Sequence, residues 1–324
     1  MITETLTVIV GFIIIIILAE LIIKNAIQLG EHHGFSGTFI GLTILSIGTS
    51  IPEIMTHIVG SVNIIQNPTL MNTLSSLVIG TNIGSDIFQQ NFIIPAIGLM
   101  GALVVIRKNL FTEMGGLIAA AILTWLFSLN GIISRLEGAI LLIAYITYLI
   151  YLKKSKISES FHGTNHLKNK QVILAYGLIL LSFIIMAVVS DEVLESSTIL
   201  IQSLPISASF FGVIALGIAS ALPELTTSLI AVFKKKGDIS AGILIGSNIT
   251  NPLFGIGLGA LISTYTIPNV VIFYDLPVKI GTAFLIYYFL FTHEKLKKWE
   301  SVALIGLFIG YIIIRQIYFP TDFM

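Results

Sequence analysis

The chain has 324 residues, of which 55% are hydrophobic and only 10% are charged, and its 17 basic and 17 acidic side chains give a formal net charge of zero. A soluble domain has roughly 25% charged residues, so this composition excludes a water-soluble globular protein and predicts a multi-pass membrane protein. The chain has no cysteine, which excludes disulfide frameworks and thiolate metal sites. The balanced charge gives no reason to expect a nucleic-acid partner.

Apolar runs along the chain predict about ten membrane-spanning helices, since each helix needs about 20 mostly apolar residues. The first run is too long for a signal-peptide core and has no small-residue cleavage site, so we expect it to be retained. The polar segment 153–170 separates two five-helix halves, residues 1–152 and 171–324. The predicted spans are 5–29, 36–62, 72–105, 111–130, 133–152, 171–194, 205–233, 238–264, 269–291 and 299–317.

Lysine and arginine are distributed unevenly among the predicted loops, and such residues favour cytoplasmic loops. If both termini lie outside the cell, the basic residues at 107–108, 153–170, 234–236 and 295–298 all fall on the cytoplasmic side. We therefore expect a plasma-membrane protein with extracellular termini and a cytoplasmic linker at 153–170. The remaining basic residues are Lys24, Arg135, Lys279 and Arg315.

Two stretches of the first half recur in the second half. GTFIGLTILSIGTSIPEIMTHIV at 37–59 aligns with ASFFGVIALGIASALPELTTSLI at 208–230 at an offset of 171 positions, which pairs Glu53 with Glu224. GTNIGSDIFQ at 80–89 aligns with GILIGSNITN at 242–251 at an offset of 162 positions. With five helices in each half, the second copy begins on the opposite face of the membrane, as in the inverted repeats of many secondary transporters.

A proline followed by a glutamate lies inside two of the predicted spans, at 52–53 and 223–224. Proline lacks an N–H, so the helix opens before it, and irregular backbone is tolerated at membrane depth only where it is buried in protein or lines a cavity. A carboxylate at this depth is costly unless it is partnered. A cation bound between Glu53 and Glu224 near the midplane would satisfy both features, and oxygen ligands suit Ca²⁺ or Na⁺.

The sequences GTSIPE at 48–53 and SALPE at 220–224, each followed by a predicted GxxxGS helix start, resemble the repeats of the cation/calcium exchanger superfamily. The Pro-Glu form is similar to that of prokaryotic and archaeal sodium/calcium exchangers. The resemblance implies an all-α membrane protein with about ten helices in two inverted five-helix repeats, and with helices two and seven broken. It places the repeats at about 37–101 and 208–264.

The resemblance also implies one ion cluster between helices two, three, seven and eight. The implied ligands, all of which offer oxygen atoms, are Glu53 and Glu224 at the centre, Ser50, Ser85 and Ser247 through hydroxyls, Thr49 and Ser220 mainly through backbone carbonyls, and Gln89 and Asn251 at the family's Asn/Asp positions. No cofactor is implied, because Ca²⁺ and Na⁺ are the transported substrates.

The sequence departs from the family pattern at three positions. Ala221 stands where the second repeat usually has serine, Gln89 is one methylene longer than asparagine, and Asn251 is neutral where some members have aspartate. Two carboxylates balance one Ca²⁺ or two Na⁺, so a third Na⁺ would leave a buried positive charge. These departures leave the number of Na⁺ ions open.

Two further polar residues lie near the predicted cluster in the sequence. Asp86 follows Ser85 and is either an accessory ion ligand or pathway carboxylate, or a residue that holds the helix start, as its counterpart Asn248 suggests. His57 lies one turn after Glu53 and either adds proton sensitivity or is a buried histidine bonded to a backbone carbonyl, which is the simpler interpretation.

These observations predict a secondary antiporter that exchanges Na⁺ for Ca²⁺ by alternating access. A proton-coupled exchanger of Ca²⁺ or another divalent cation is the alternative, suggested by Ala221, Asn251 and His57. The chain has no paired-histidine zinc motif and no serine–histidine or aspartyl-protease pattern, so we do not expect an enzyme. A channel is a further alternative; it would pass ions without obligatory counter-ions, so the absence of an exchange stoichiometry would favour it. The expected partners are Ca²⁺, Na⁺ or H⁺ and the lipid bilayer, with no obligatory protein partner.

Overall fold

The computed structural model describes residues 2–32, 43, 45–101, 103, 107–154, 167–203, 206–233, 237–319 and 321–322. Most of the predicted cytoplasmic linker lies outside these described residues, as do the three lysines at 234–236 and the start of the first repeat. The described part of the chain is helical almost throughout, and its two short strands form one antiparallel pair.

The first half of the chain contains seven of the described helices and one strand. They are α1 (Ile2–His32), α2 (Ser46–Thr49), α3 (Ile51–Gln66), α4 (Met71–Phe88), α5 (Ile94–Leu99), α6 (Arg107–Ser128), β1 (Ile132–Ile133) and α7 (Arg135–Lys154). A 3₁₀ turn at Pro68–Leu70 precedes α4, and a π-helical segment at Gln89–Ile93 joins α4 to α5.

The second half follows the same plan with a longer first helix. Its elements are α8 (Asn169–Ser203), α9 (Ala208–Phe211), α10 (Gly217–Ser220), α11 (Leu222–Phe233), α12 (Gly237–Thr250), α13 (Gly257–Ile262), β2 (Tyr265–Thr266), α14 (Leu276–His293) and α15 (Lys298–Tyr318). π-Helical segments at Gly212–Leu216, Asn251–Ile256 and Val271–Asp275 precede α10, α13 and α14.

Eight described segments are long and apolar enough to cross a membrane by length and composition. The predicted spans 36–62 and 72–105 are not among them. Their described helices α3 and α4 are buried along most of their length, and they carry serine, threonine, asparagine and glutamate side chains. These two helices face protein rather than lipid, which explains why their sequences are more polar than those of the outer helices.

The outer surface of the bundle is apolar. In the most apolar stretches of α7 and α8, only 22% and 17% of the residues are buried. Large side chains such as Ile143 and Leu180 are more than 60% exposed. Lipid chains can cover such a surface, whereas water cannot do so without a large free-energy cost. The protein is therefore a multi-pass membrane protein. α1 packs lengthwise against α8, and both border the polar helices of the centre.

The breaks in the helices repeat with the spacing found in the sequence. Helix two breaks at Ser50 (φ −79°, ψ 3°) and helix seven at Ala221 (φ −80°, ψ 0°), 171 positions apart. The π-helical segments after α4 and α12 begin at Gln89 and Asn251, 162 positions apart. Broken helices two and seven are thus confirmed, and the duplication extends to the backbone conformation. The inversion of one half relative to the other stays a prediction.

Helix α4 lies unusually close to helix seven. A Cβ atom added to Gly80 would lie 2.6 Å from the Ser209 carbonyl oxygen, and one added to Gly84 would lie 2.4 Å from backbone atoms of Val213. Only glycine allows this approach, as the GxxxG spacing predicts for membrane helices. The close contact brings the polar faces of the two repeats together at the centre of the bundle.

Candidate ion-binding site

The two helix breaks place two glutamates in the interior. Each break is followed by proline at the second residue of the next helix and by glutamate at the third. Proline is favourable there because the first turn of a helix does not use its N–H groups. Glu53 is 1% exposed and Glu224 is fully buried. The same local sequence therefore builds both halves of the site.

Glu53 and Glu224 are close enough to repel each other electrostatically. The residue before each break lies beside the glutamate of the other repeat, Thr49 beside Glu224 and Ser220 beside Glu53. Among the described residues, no hydrogen-bond partner reaches Glu53 Oε2 or either carboxylate oxygen of Glu224. Buried carboxylates without partners are costly, so this pair needs a cation or a proton between its members.

Gln89 bridges the two predicted serine ligands. Ser85 donates a hydrogen bond of 2.6 Å to Glu53 Oε1 and accepts one of 3.1 Å from Gln89 Nε2. On its other side, Gln89 Oε1 accepts hydrogen bonds from Ser247 Oγ (2.5 Å) and Asn248 Nδ2 (3.1 Å). The longer side chain noted in the sequence therefore connects the two repeats, and its oxygen is already used by the protein.

Asn251 has the opposite arrangement. Its Nδ2 donates a hydrogen bond of 2.8 Å to Asp86 Oδ1, while its Oδ1 has no partner among the described residues. An ionised carboxylate can only accept, so Asp86 fixes the orientation of this amide. Ser50 Oγ is also buried without a partner. Together with the free oxygens of Glu53 and Glu224, these atoms are a set of buried hard oxygen donors without a partner in the described part of the chain.

The composition of this set restricts the ions it fits. No group of three or more His, Cys, Asp or Glu side chains converges within the described part of the chain. Carboxylate, hydroxyl and amide oxygens suit Na⁺ and Ca²⁺, whereas copper, zinc and iron sites favour imidazole or thiolate ligands. All eleven side chains predicted from the sequence are at most 1% exposed.

His57 does not have the partner expected from the sequence. Its Nδ1 lies 3.1 Å from the Tyr265 hydroxyl and its Nε2 lies 3.0 Å from Asn82 Nδ2, so both ring nitrogens contact side chains. The expectation of a backbone-carbonyl partner for the ring was wrong. The Tyr265 hydroxyl also lies 2.6 Å from Ser61 Oγ. This network ties helix two to β2, and within the described part of the chain its hydrogen bonds do not reach Glu53 or Glu224.

The expectation that Asp86 holds a helix start was also wrong. GxxxGS does not begin a helix in either copy: Ser85 and Asp86 lie in the last turn of α4, and Ser247 lies in the last turn of α12. Asp86 instead forms an ion pair with Lys279 of α14, and both side chains are fully buried. Lys279 was not singled out in the sequence, although a lysine inside the apolar span 269–291 was a signal that it needs a buried partner.

Known proteins share both the sequence pattern and the fold. The profile of the family described as "Sodium/calcium exchanger protein" matches residues 3–154 and 174–316. The sodium/calcium exchanger MaX1 of Methanosarcina acetivorans is 24% identical over an alignment 349 positions long. The alignment covers 95% of this chain and 97% of that protein. Inner membrane protein YrbG of Escherichia coli is 28% identical over 272 residues, 81% of each chain.

Solved structures agree on the fold. The structure of the sodium/calcium exchanger from Methanococcus jannaschii superposes with a TM-score of 0.62 at 24% identity, over 96% of this chain and 98% of that one. At this identity the superposition shows the fold alone, and the profile match over both halves of the chain carries the relationship. This membrane protein belongs to the sodium/calcium exchanger protein family.

Proposed function

We propose that this protein is an antiporter that exchanges Na⁺ for Ca²⁺ across the membrane. The observation that carries the proposal is the pair Glu53 and Glu224, which are buried at equivalent helix breaks with three carboxylate oxygens unpartnered. A structural ion pair or a packing kink does not account for two like charges placed together in the interior. A Ca²⁺ ion, or two Na⁺ ions, would neutralise them.

The other proposed ligands divide into free oxygens and oxygens within the protein network. The Ser50 hydroxyl and Asn251 Oδ1 can contact an ion without losing a partner. Ser85 and Ser247 can also contact an ion, because a hydroxyl has two lone pairs and the bridge through Gln89 uses one on Ser85 and none on Ser247. Thr49 and Ser220 would contribute mainly backbone carbonyls, as the family resemblance implies, and their hydroxyls donate to the Ser46 and Gly217 carbonyls within their own helices.

Exchange rather than leakage follows from the cost of the unoccupied state. Two ionised carboxylates buried without a cation repel each other, so a closed form without ions is disfavoured. The site therefore switches sides when it carries Ca²⁺ or Na⁺. This coupling makes the protein an antiporter and separates the proposal from a channel or an enzyme.

The alternative is proton coupling, which Ala221 and Asn251 favour because they remove a hydroxyl and a carboxylate from the site. The contacts of His57 give this alternative no additional support, because its ring bonds to Tyr265 and Asn82 instead of the central glutamates. The two functions differ in the ion gradient that drives Ca²⁺ movement.

The test is Ca²⁺ uptake into proteoliposomes under an outward Na⁺ gradient, compared with a pH gradient in Na⁺-free buffer. We expect the Na⁺ gradient alone to drive uptake. Uptake driven only by the pH gradient would overturn Na⁺ coupling in favour of the alternative. For variants of the two central glutamates, Glu137→Gln is the matched control, because Glu137 caps α7 through Ser134 and lies outside the proposed cluster.

We further propose that the protein lies in the plasma membrane with both termini outside and the 153–170 linker in the cytoplasm. The positive residues of the predicted loops support this orientation. Since the chain has no cysteine, single cysteines can report the side directly. A thiol reagent that does not cross membranes should label Thr321→Cys in intact cells and label Ser160→Cys only after permeabilisation. The reverse pattern would contradict the orientation.

A further inference from the structure

Helix α4 of the first repeat holds Asn251 of the second repeat at two points. Asn82 Nδ2 donates a hydrogen bond of 2.9 Å to the Asn251 backbone carbonyl, and Asp86 Oδ1 accepts one of 2.8 Å from Asn251 Nδ2. Asn82 and Asp86 are four residues apart, so they lie on the same face of α4. The backbone and the side-chain amide of Asn251 are therefore both held by one helix of the other repeat.

Asp86 is itself held by a lysine of α14. The Lys279 ammonium group donates to Asp86 Oδ2, and both side chains are fully buried. An ammonium group can only donate, so Asp86 accepts on this side as well as from Asn251. The remainder of α14 is largely apolar, and a charge in such surroundings persists only when it is paired. The ion pair thus keeps an acceptor, and not a donor, against the Asn251 amide.

The aligned position of the second repeat has the opposite effect on the amide that it faces. Asn248 is the counterpart of Asp86, and Gln89 is the counterpart of Asn251. Gln89 Oε1 accepts hydrogen bonds from Ser247 and Asn248, which use both of its lone pairs. Asn251 Oδ1 has no partner in the described part of the chain. A donor at this position therefore occupies the amide oxygen of the other repeat, whereas an acceptor leaves it free.

We propose that Asp86 and Lys279 are positioning residues that turn the Asn251 amide so that its oxygen, and not its NH₂ group, is presented to a bound cation. This inference rests on the ion site of the proposed function. An NH₂ group in the place of that oxygen would repel a cation, because it can only donate. The pair therefore raises the affinity of the site for Ca²⁺ without having to contact the ion itself.

Calorimetric Ca²⁺ titration of the purified protein tests this role, because Ca²⁺ binding does not depend on which ion drives exchange. Asp86→Leu/Lys279→Met removes both charges together, so it leaves no unpaired buried charge and no acceptor for the Asn251 amide. Because a ligand bound to a charged group contributes strongly, we expect the Ca²⁺ affinity to fall about tenfold. Asn251→Ala removes the amide itself and should lower the affinity by a similar factor.

Combining the two changes separates positioning from a general effect of the charges. If the pair acts through Asn251, adding Asp86→Leu/Lys279→Met to Asn251→Ala should not lower the Ca²⁺ affinity further. Asp275→Leu/Arg315→Met is the matched control, since it removes another fully buried ion pair. Within the described part of the chain, the hydrogen bonds of that pair do not reach the cluster. The control should lower the thermal midpoint in detergent and leave the Ca²⁺ affinity unchanged.

Three results would overturn the inference. The first is wild-type Ca²⁺ affinity in Asp86→Leu/Lys279→Met, with or without lower stability, because a purely structural pair behaves in that way. The second is a combined variant that binds Ca²⁺ much more weakly than Asn251→Ala, because the pair would then act by another route. The third is wild-type affinity in Asn251→Ala, which decides the matter even if the pair variant does not fold.

Failure of the proposed function gives a different pattern. Wild-type protein that binds Ca²⁺, with the expected response to these variants but without Na⁺-driven uptake, would overturn Na⁺ exchange and leave this inference intact. Absence of Ca²⁺ binding by the wild type would overturn both.

Discussion

The two repeat copies differ in their side chains far more than in their backbones. Their helix breaks at Ser50 and Ala221 have nearly the same dihedral angles, and their π-helical segments begin at aligned positions. The contacts of the aligned residues differ: Asp86 pairs with a lysine, whereas Asn248 bonds to the amides of Gln89 and Gln90 and to the Leu244 carbonyl. The duplicated backbone positions the site, and the unequal side chains determine its charge and its free oxygens.

The two repeats are most alike in their buried glutamates, Glu53 and Glu224. Loss of either carboxylate should have the largest effect on Ca²⁺ transport. Glu53→Gln or Glu224→Gln removes one of two charges that face the ion. A charge pair at ~4 Å contributes about 4 kcal/mol at an effective dielectric of ~20, so we expect Ca²⁺ transport to fall by roughly 100-fold or more. Ca²⁺ uptake into proteoliposomes measures this, with Glu137→Gln as control. Full transport by both variants would refute the site.

Substitution at the close contact between α4 and helix seven should have the next largest effect, on the stability of the protein. Gly84→Ala places a methyl group 2.4 Å from the Val213 backbone, so the helices must separate or the protein must misfold. Gly115→Ala is the matched control, since its Cβ would meet nothing within 4 Å. We expect the thermal midpoint in detergent to fall by several degrees for the first variant only. Equal midpoints would show that the close approach is not needed.

Restoring the hydroxyl that the second repeat lacks at Ala221 should moderately raise the apparent affinity for Na⁺. Ala221→Ser makes the two breaks chemically alike by adding a hydroxyl at the position of the second repeat that is equivalent to Ser50. One additional ligand of about 1 kcal/mol should raise the apparent affinity for Na⁺ about fivefold, and Ser50→Ala should lower it by a similar factor. The Na⁺ dependence of Ca²⁺ flux measures both changes. Unchanged Na⁺ dependence in both variants would exclude these positions from the Na⁺ sites.

Shortening the Gln89 bridge should change the apparent Na⁺ affinity by a smaller factor. Gln89→Asn shortens the side chain by one methylene, so it can no longer connect Ser85 with Ser247. We expect the released hydroxyls to raise the apparent Na⁺ affinity a few-fold while Ca²⁺ exchange persists. If exchange is lost instead, the bridge is needed for assembly of the site rather than for tuning it.

His57 should have the smallest effect on ion coupling. Its ring bonds to Tyr265 and Asn82 instead of to the cluster, so His57→Gln should preserve the pH profile of exchange. Loss of these buried hydrogen bonds should lower stability by about 1–3 kcal/mol. Exchange rates between pH 6 and pH 8, with thermal unfolding alongside, test both expectations. A shifted pH profile would favour proton coupling.

The sequence was sufficient to predict the broken helices and the buried glutamates, because proline and a charge inside an apolar span each have a strong local consequence. The spacing of Gly80 and Gly84 is likewise typical of close helix packing, which the structure has. These features depend on residues near one another in the chain, or on a repeat that can be aligned. Local physical chemistry is therefore enough to find them.

The partners of the glutamates could not be predicted in the same way. Asp86 and Lys279 are 193 positions apart and Tyr265 is 208 positions from His57, so only the folded chain brings them together. The helix start expected at GxxxGS was wrong, because the motif lies at the end of its helix in both copies. The orientation of the Asn251 amide likewise depends on Asp86, which reaches it across the two repeats.

Direct Ca²⁺ titration of the purified protein by calorimetry, with and without Na⁺, tests whether Glu53 and Glu224 hold one shared ion site. We expect one Ca²⁺ per chain, competition by Na⁺, and loss of binding in Glu53→Gln and in Glu224→Gln but not in Glu137→Gln. Ca²⁺ binding that persists in both cluster variants, or that Na⁺ does not weaken, would contradict it.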